Sequence, residues 1–306
     1  MKSGFEAKAN LFETLTYDQS FSGESLEEVA CNVCGARERS LLFTEGPFGV
    51  QRCAECGLVY ISPQPTAEAL DEYYRSVYYP SDPDVYISSW RHESSFAQVR
   101  RILRKHRPGG GRLLDVGCGV GLFLKSLGQQ WELAGIDPSV AACEHARREL
   151  PHAHIACAGI LSEDALLSSD SFDALVTMAV LDHLKDPALA VRRMCDVLRP
   201  GGHLAIRVAS FGVLLRLKSA LPFLPIRAGA PRHLFDFSPA TLGRLLSANG
   251  FEVEQAYVGA REQITRPLVR ASVNVVKAVS RFIYFCTAGR YIPPFCGAIV
   301  VVARKK

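Results

Sequence analysis

Two carboxylates frame a run of glycines in the stretch Arg112–Asp137, RLLDVGCGVGLFLKSLGQQWELAGID. Asp115 ends a short apolar run. Gly117, Gly119 and Gly121 then alternate with Cys118 and Val120, and an apolar helical pattern follows at Leu122, Phe123, Leu124 and Leu127. A second apolar run closes at Asp137. Glycine lets the backbone turn sharply and removes the Cβ that would hold a ligand away. An acid that ends the second strand can accept both hydroxyls of a ribose. The dinucleotide fingerprint is G-x-G-x-x-G, whereas this chain reads D-x-G-x-G-x-G. A pyrophosphate gains little from Asp115. A ligand with an ammonium group and a ribose, but no phosphate, suits both acids.

Four cysteines carry a second chemistry. Cys31 and Cys34, in CNVCG, and Cys53 and Cys56, in CAECG, form two C-x2-C pairs. Each pair makes a tight knuckle with two thiolates on one tetrahedral edge, and Gly35 and Gly57 permit the turns. Four thiolates close a zinc site with no open position, so the spacing predicts a structural Zn2+. Between the knuckles, SLLF and GVQRC alternate as a short hairpin does. Neither pair opens a helix after a strand, which argues against redox chemistry.

These residues need a scaffold, and apolar periodicity outlines one. Trp90, Phe96, Val99, Ile102 and Leu103 recur at helical intervals across Ser88–Arg107, with Arg100, Arg101, Arg104, Lys105 and Arg107 on a basic face. His154–Cys157 and Ser171–Thr177 read as strands. Ser238 caps a helix with Pro239 at its first position, and Gly250 stops it. Phe251–Val258 and the closing GAIVVVARKK are further strands. Arg266–Phe285 is apolar with a polar and basic stripe. Such a helix can lie on an anionic bilayer, a peripheral membrane contact, although packing on the core is the favoured reading.

The chain has 306 residues, room for one large domain and a small one. At 48% hydrophobic and 22% charged it has the composition of a globular enzyme. A net charge of +4 is too small to argue for a nucleic-acid partner. MKSGFEAKAN has no apolar core and no cleavage site, so no export signal and a cytoplasmic location are expected. The ten cysteines then read as free or metal-bound thiols. Oligomeric state is not written in the sequence.

DVGCGVG followed by GID resembles the cofactor-binding core of the class I S-adenosylmethionine-dependent methyltransferases. The segment GLVYISPQPTAEALDEYYRSVYYP is similar to the linker of a bacterial group of these enzymes with a zinc-ribbon N-terminus. The resemblance implies an α/β fold: a Rossmann-like seven-stranded sheet with helices on both faces and the last strand antiparallel, preceded by a small zinc ribbon. It divides the chain into an arm (1–30), the ribbon (31–62), a linker or lid (63–87) that carries Tyr78 and Tyr79, and a methyltransferase domain (88–306). The implied cofactor is S-adenosyl-L-methionine, bound by Asp115, Gly117, Cys118, Gly119, Asp137, Pro138, Ile160, Leu161 and Ala179. Within that set, Asp115 and the glycine turn hold the methionine part, Asp137 the ribose, and Ile160 and Leu161 the adenine. Glu163 or Asp164 could meet the adenine amino group.

Asp182 and His183 stand where the family most often has Glu-His. A neutral His183 could take the proton of a hydroxyl nucleophile, or simply order its own turn. RHLFDFS resembles a phrase whose histidine lies near the substrate pocket, which makes His233 the second candidate base and Arg232 a candidate anion anchor. In some relatives two acids and this histidine bind a metal. Ala179 occupies the place of the first acid, so no catalytic metal is expected. The implied reaction is methyl transfer to a small-molecule acceptor, a hydroxyl of a sugar or secondary metabolite. RNA methylation and a non-catalytic scaffold are the alternatives.

Overall fold

The computed structural model describes residues 25–74, 93–260 and 297–306, with isolated positions between 278 and 287. Tyr78, Tyr79 and nearly all of Arg266–Phe285 lie outside the described residues.

The chain opens with β1 (Leu26–Glu27), β2 (Arg39–Glu45), β3 (Phe48–Cys53), β4 (Val59–Ser62) and β5 (Gln64–Pro65), then α1 (Ala67–Glu72). β2 and β3 are the hairpin between the knuckles, and β1 pairs with β5. Thr66 caps α1 by accepting the Ala69 N–H. After α2 (Glu93–His106), the chain alternates through β6 (Gly111–Val116), α3 (Leu122–Lys125), β7 (Trp131–Asp137), α4 (Val140–Glu149), β8 (His154–Cys157) and β9 (Phe172–Met178). Then follow α5 (Pro187–Val197), β10 (Leu198–Ser210), α6 (Gly212–Ala220), β11 (Phe235–Asp236), α7 (Pro239–Ala248), β12 (Phe251–Val258) and β13 (Gly297–Lys305).

Seven strands form one sheet in the order β12-β13-β10-β9-β6-β7-β8. The pairs from β10 through β8 are parallel, and β13 runs antiparallel to both its neighbours. Alternation along each strand feeds two cores. Leu113, Ala174, Val176, Val300 and Val302 face Val99, Ile102 and Leu103 of α2. Leu114, Leu175, Ile206, Ile299 and Val301 face α5 and α7 through Val191, Met194, Leu242 and Leu245. A buried side chain of this size stabilises by about 1.5–3 kcal/mol. The packed sheet can therefore carry strain at its upper edge.

The ribbon is continuous with this core. Phe48, Val50, Leu58, Tyr60 and Ile61 belong to the same buried cluster as Leu181, Leu234, Phe235 and Phe237. β11, from the segment after β10, adds a fourth strand to the ribbon sheet, in the order β11-β4-β3-β2. Phe235 pairs with Tyr60 and Asp236 with Val59. The stretch between β10 and α7 reads from sequence as an apolar, proline-punctuated insertion, which gives no sign of a strand for the ribbon.

Candidate active site

The chain order reverses between β6 and β9, and ligands bind at such a switch point beyond the strands' carboxyl ends. A cavity of about 490 Å³ lies there. Every residue expected to bind the cofactor borders it: Asp115, Gly117, Cys118, Gly119, Asp137, Pro138, Ile160, Leu161 and Ala179. Neither Glu163 nor Asp164 does; the Asp164 carboxylate accepts the Leu166 N–H at 2.8 Å, capping a short turn. Ser162 borders the cavity at that level instead.

The glycine turn is fixed from below. The N–H groups of Gly117 and Cys118 both donate to the Ile136 carbonyl, at 2.8 and 3.0 Å. Gly117 has φ +75°, and a Cβ there would come within 2.3 Å of Val180 Cγ2. Asp137 is buried and holds two loops at once. Its Oδ2 accepts the Gly119 N–H at 2.9 Å and its Oδ1 accepts the Ser139 N–H at 3.0 Å. A carboxylate has about four acceptor positions, so the same group can also meet ribose hydroxyls. Asp115 is also buried. Loss of water, with the Asp137 charge adding to it, pushes its carboxyl up to about 8. A ligand ammonium is the group that would bring it back down.

The opposite wall is the turn after β9. Ala179 sits in the left-handed region at φ 56° and donates its N–H to the Arg207 carbonyl at 2.8 Å. That backbone costs a non-glycine residue about 1–2 kcal/mol. Strain of this kind collects at functional sites. Leu181–His183 is one 3-10 turn, with Asp182 fully buried and His183 nearly so.

His183 faces the cavity. Its Nδ1 lies 2.9 Å from the Tyr74 hydroxyl, and its Nε2 lies 3.7 Å from Asp182 Oδ2. Burial pushes the imidazole down to about 4, with His233 and Arg232 adding to the effect and Asp182 opposing it. The ring is therefore neutral. The Asp182 carboxylate favours the proton on Nε2, which leaves Nδ1 to accept from Tyr74.

His233 stands behind His183, with ring centroids 4.7 Å apart, and does not border the cavity. Its Nδ1–H donates to Asp182 Oδ2 at 2.7 Å. Burial would lower the His233 pKa, but the bond to Asp182 and its charge raise it. Burial likewise favours a protonated Asp182, and the two imidazoles outweigh it and hold the carboxyl below its usual value. Arg232 does not border the cavity either. Donor atoms of Asp182, His183 and His233 lie within 4.8 Å of one another. His233 Nδ1 and Asp182 Oδ2 already engage each other and His183 Nδ1 engages Tyr74, and Ala179 supplies no further donor.

Tyr74 and Arg207 border the cavity and were missed from sequence. Tyr74 directly follows a residue of the same type just past α1, so composition singles neither out. Arg207 carried a readable signal: it is a cation inside an otherwise apolar strand, AIRVA, where a buried charge calls for a reason.

The ribbon supports this wall. The Ile61 N–H donates to the Leu234 carbonyl at 3.0 Å, and the Leu234 N–H to the Asp182 carbonyl at 2.8 Å. Lys185 Nζ donates to the Pro65 carbonyl at 2.7 Å. In the cysteine cluster, Cys31 Sγ lies 3.5 Å from Cys56 Sγ, and Cys34 Sγ lies 3.5 Å from Cys53 Sγ. These separations exceed a disulfide bond and approach the ~3.8 Å edge of a tetrahedron with zinc–sulfur bonds of about 2.3 Å. The cluster is compatible with zinc.

The sheet order, the antiparallel β13 and the cavity at the switch point define the Rossmann-like fold of S-adenosylmethionine-dependent methyltransferases. A family model described as a methyltransferase domain matches residues 87–256, more than half of the chain, and the protein belongs to that family. A ubiquinone biosynthesis O-methyltransferase from Alkalilimnicola ehrlichii is 38% identical over 98 residues, 31% of this chain and 40% of that protein. The mitochondrial enzyme of the same name from Homo sapiens is 30% identical over 171 residues, 50% of this chain and 46% of that one. The chain thus spans less than half the length of these relatives. A solved SAM-dependent methyltransferase from Leishmania major superposes with a TM-score of 0.52 at 16% identity, covering 78% of this chain and 82% of that one. That likeness speaks for the fold alone.

Among the described residues, no helix is long and apolar enough to cross a membrane.

Proposed function

We propose that this protein transfers a methyl group from S-adenosylmethionine to a hydroxyl of a small, largely apolar acceptor. One observation carries the reading: a single cavity joins the two acids and the glycine turn to the neutral His183 and Tyr74. The residues fit the cofactor, since Asp115 suits an ammonium and Asp137 a ribose. When bound, it supplies a methyl group on a sulfonium, already a good leaving group.

The chain's own task is to align, to exclude water and to move one proton. Proximity and orientation supply most of the acceleration. An acceptor hydroxyl in the cavity loses its proton toward His183 Nδ1, directly or through the Tyr74 hydroxyl that occupies that position. Asp182 steadies the imidazolium that forms. His233 orders Asp182 from behind. The four cysteines hold a structural zinc that keeps β4 and β11 in register under the catalytic turn.

The relatives named for ubiquinone biosynthesis favour an aromatic, quinone-precursor hydroxyl over a sugar hydroxyl, and the apolar residues around the cavity agree. Labelled-methyl transfer to a panel of catechols, phenols and sugars tests the reading. Transfer to catechols that is lost in His183→Ala supports it. Transfer only to sugars sinks the aromatic acceptor. No cofactor binding at all sinks the whole reading.

A further inference from the structure

A second cluster of ligating side chains lies at the far end of the sheet, away from the cavity. His106 ends α2, His203 lies on β10 opposite Ala174 near the start of β9, and Glu254 lies on β12. His106 Nδ1 is 2.8 Å from Glu254 Oε2, and His203 Nε2 is 3.3 Å from the same oxygen. All three donor atoms lie within 4.8 Å of one another. A tetrahedral ion with bonds of about 2.0 Å has ligand-to-ligand edges of ~3.3 Å. The His203 edge, at 3.3 Å, matches that value, and the His106 edge, at 2.8 Å, is shorter.

The backbone is bent to make this cluster. The pairing of β12 with β13 shifts between Val253, opposite Ala303, and Gln255, opposite Val302, so Glu254 is the extra residue of a β-bulge. A regular strand would send Glu254 and Gln255 to opposite faces. The bulge turns both toward α2, where Glu254 meets His106 and Gln255 accepts from Lys105 Nζ at 2.8 Å. Bulges recur where a side chain has to be re-aimed.

The surroundings resemble an outer shell. Arg304 Nε stands 3.7 Å from Glu254 Oε1 and leaves Oε2 to face the imidazoles. The Tyr257 hydroxyl is 3.5 Å from His106 Nε2, close enough to accept that nitrogen's proton when Nδ1 ligates an ion. Outer groups of this kind orient metal-ligating histidines. Among the described residues His203 Nδ1 has no partner, so the ring's one polar contact points into the cluster. Both rings are largely buried, while Glu254 is part-exposed and leaves a side open to water.

We propose that His106, His203 and Glu254 form a divalent transition-metal site, suited to zinc and separate from the four cysteines. Two imidazoles and one carboxylate with an open fourth position match the ligands that zinc takes. The ion ties the end of α2 to β10 and β12. The start of that helix carries Ser95 and Phe96 into the cavity wall. The site is therefore a clamp on the helix that roofs the cavity, and it takes no part in transfer.

The test uses the full chain with its cysteines already loaded with one equivalent of zinc, titrated with Co2+. The expected result is one further equivalent whose spectrum lacks thiolate-to-cobalt charge transfer. Glu254→Gln and His106→Gln should each weaken that equivalent by at least about tenfold and leave the thiolate-bound ion in place, which also shows that the variant is folded. Uptake that stops at one equivalent overturns the proposal. So does a second equivalent that both variants keep at unchanged affinity. Neither result bears on methyl transfer, which cofactor binding and labelled-methyl assays read separately.

Discussion

The cavity wall formed by β6 and β7 comes from one stretch, residues 111–137, whereas the wall around His183 draws on Tyr74, the 181–183 turn, residues 233–236 and ribbon strand β4. The first wall is held by bonds between near neighbours in sequence: Gly117 and Cys118 to Ile136, and Gly119 to Asp137. The second is held by bonds between residues far apart in sequence, 109 residues for Tyr74 with His183 and 120 for Lys185 with Pro65. A locally built wall can be inherited as a unit and keeps one ligand. A wall assembled from distant pieces can change its acceptor by changing any one piece. The two walls should therefore fail separately, in affinity on one side and in turnover on the other.

The largest effect belongs to the assembled wall. Removal of a positioned base costs typically 10²- to 10⁴-fold. His183→Ala should lower kcat by about that range and leave cofactor affinity within twofold or so. Rapid-quench measurement of labelled-methyl transfer, beside a calorimetric titration of the cofactor, separates the two readouts. A large loss of affinity in this variant would break the division between the walls.

Asp137→Ala is the mirror case. It removes two acceptors for a ribose and the anchors of the Gly119 and Ser139 N–H groups. Charge-assisted hydrogen bonds contribute about 1.5–3 kcal/mol each, so cofactor affinity should fall on the order of 100-fold. The sheet beneath stays packed, and thermal unfolding should move by a few degrees at most. Titration calorimetry and differential scanning on the same sample decide. Unchanged affinity would remove Asp137 from the site.

The contrast also explains what could be read from the sequence. The first wall was legible because its chemistry and its geometry share one window: acid, glycine turn, helix, strand, acid. The cysteine pairs were legible as a cluster for the same reason. The seven-stranded sheet and its antiparallel last strand follow from the resemblance to the family rather than from alternation, which marks strands but not their order. The second wall was legible only in part. His183 and His233 could be named, but not their ranking, because that depends on which of them borders the cavity. Tyr74 and β11 left no local trace. Two residues from opposite sides of the chain became partners only through the ribbon's packing, and no periodicity encodes that.

Tyr74→Phe tests the assembled wall more gently. The ring stays and one hydroxyl leaves His183 Nδ1. If that hydroxyl relays or positions the proton, kcat should fall by about tenfold, roughly one charge-assisted hydrogen bond, with cofactor affinity unchanged. The acid limb of the rate profile carries further information. Burial sets the His183 pKa at about 4, so the base is present at any pH above that value. At saturating cofactor, kcat should hold as pH falls through 6.5 and decline only near 4. A limb at 6.5 would put His183 in water rather than in the wall.

The smallest effect sharpens the locally built wall. Asp115 keeps its proton up to about pH 8 in the free protein. The folded state binds a proton there that the unfolded state has lost, so this group's contribution to stability declines as pH rises from about 4 to about 8. A bound ammonium favours the carboxylate, so the cofactor releases that proton on binding. Affinity should then rise between pH 7 and pH 8, by about fivefold if ionised Asp115 alone binds. The ligand's own α-amino group titrates near pH 8, and this affects wild type and Asp115→Asn alike. The ratio of their affinities across pH therefore isolates Asp115. Calorimetry in two buffers of different ionisation enthalpy counts the proton directly: close to one released by wild type at pH 7, and none from this position in Asp115→Asn. Equal proton release in both proteins would mean that the ammonium is held elsewhere, and the division of labour between Asp115 and Asp137 would have to be redrawn.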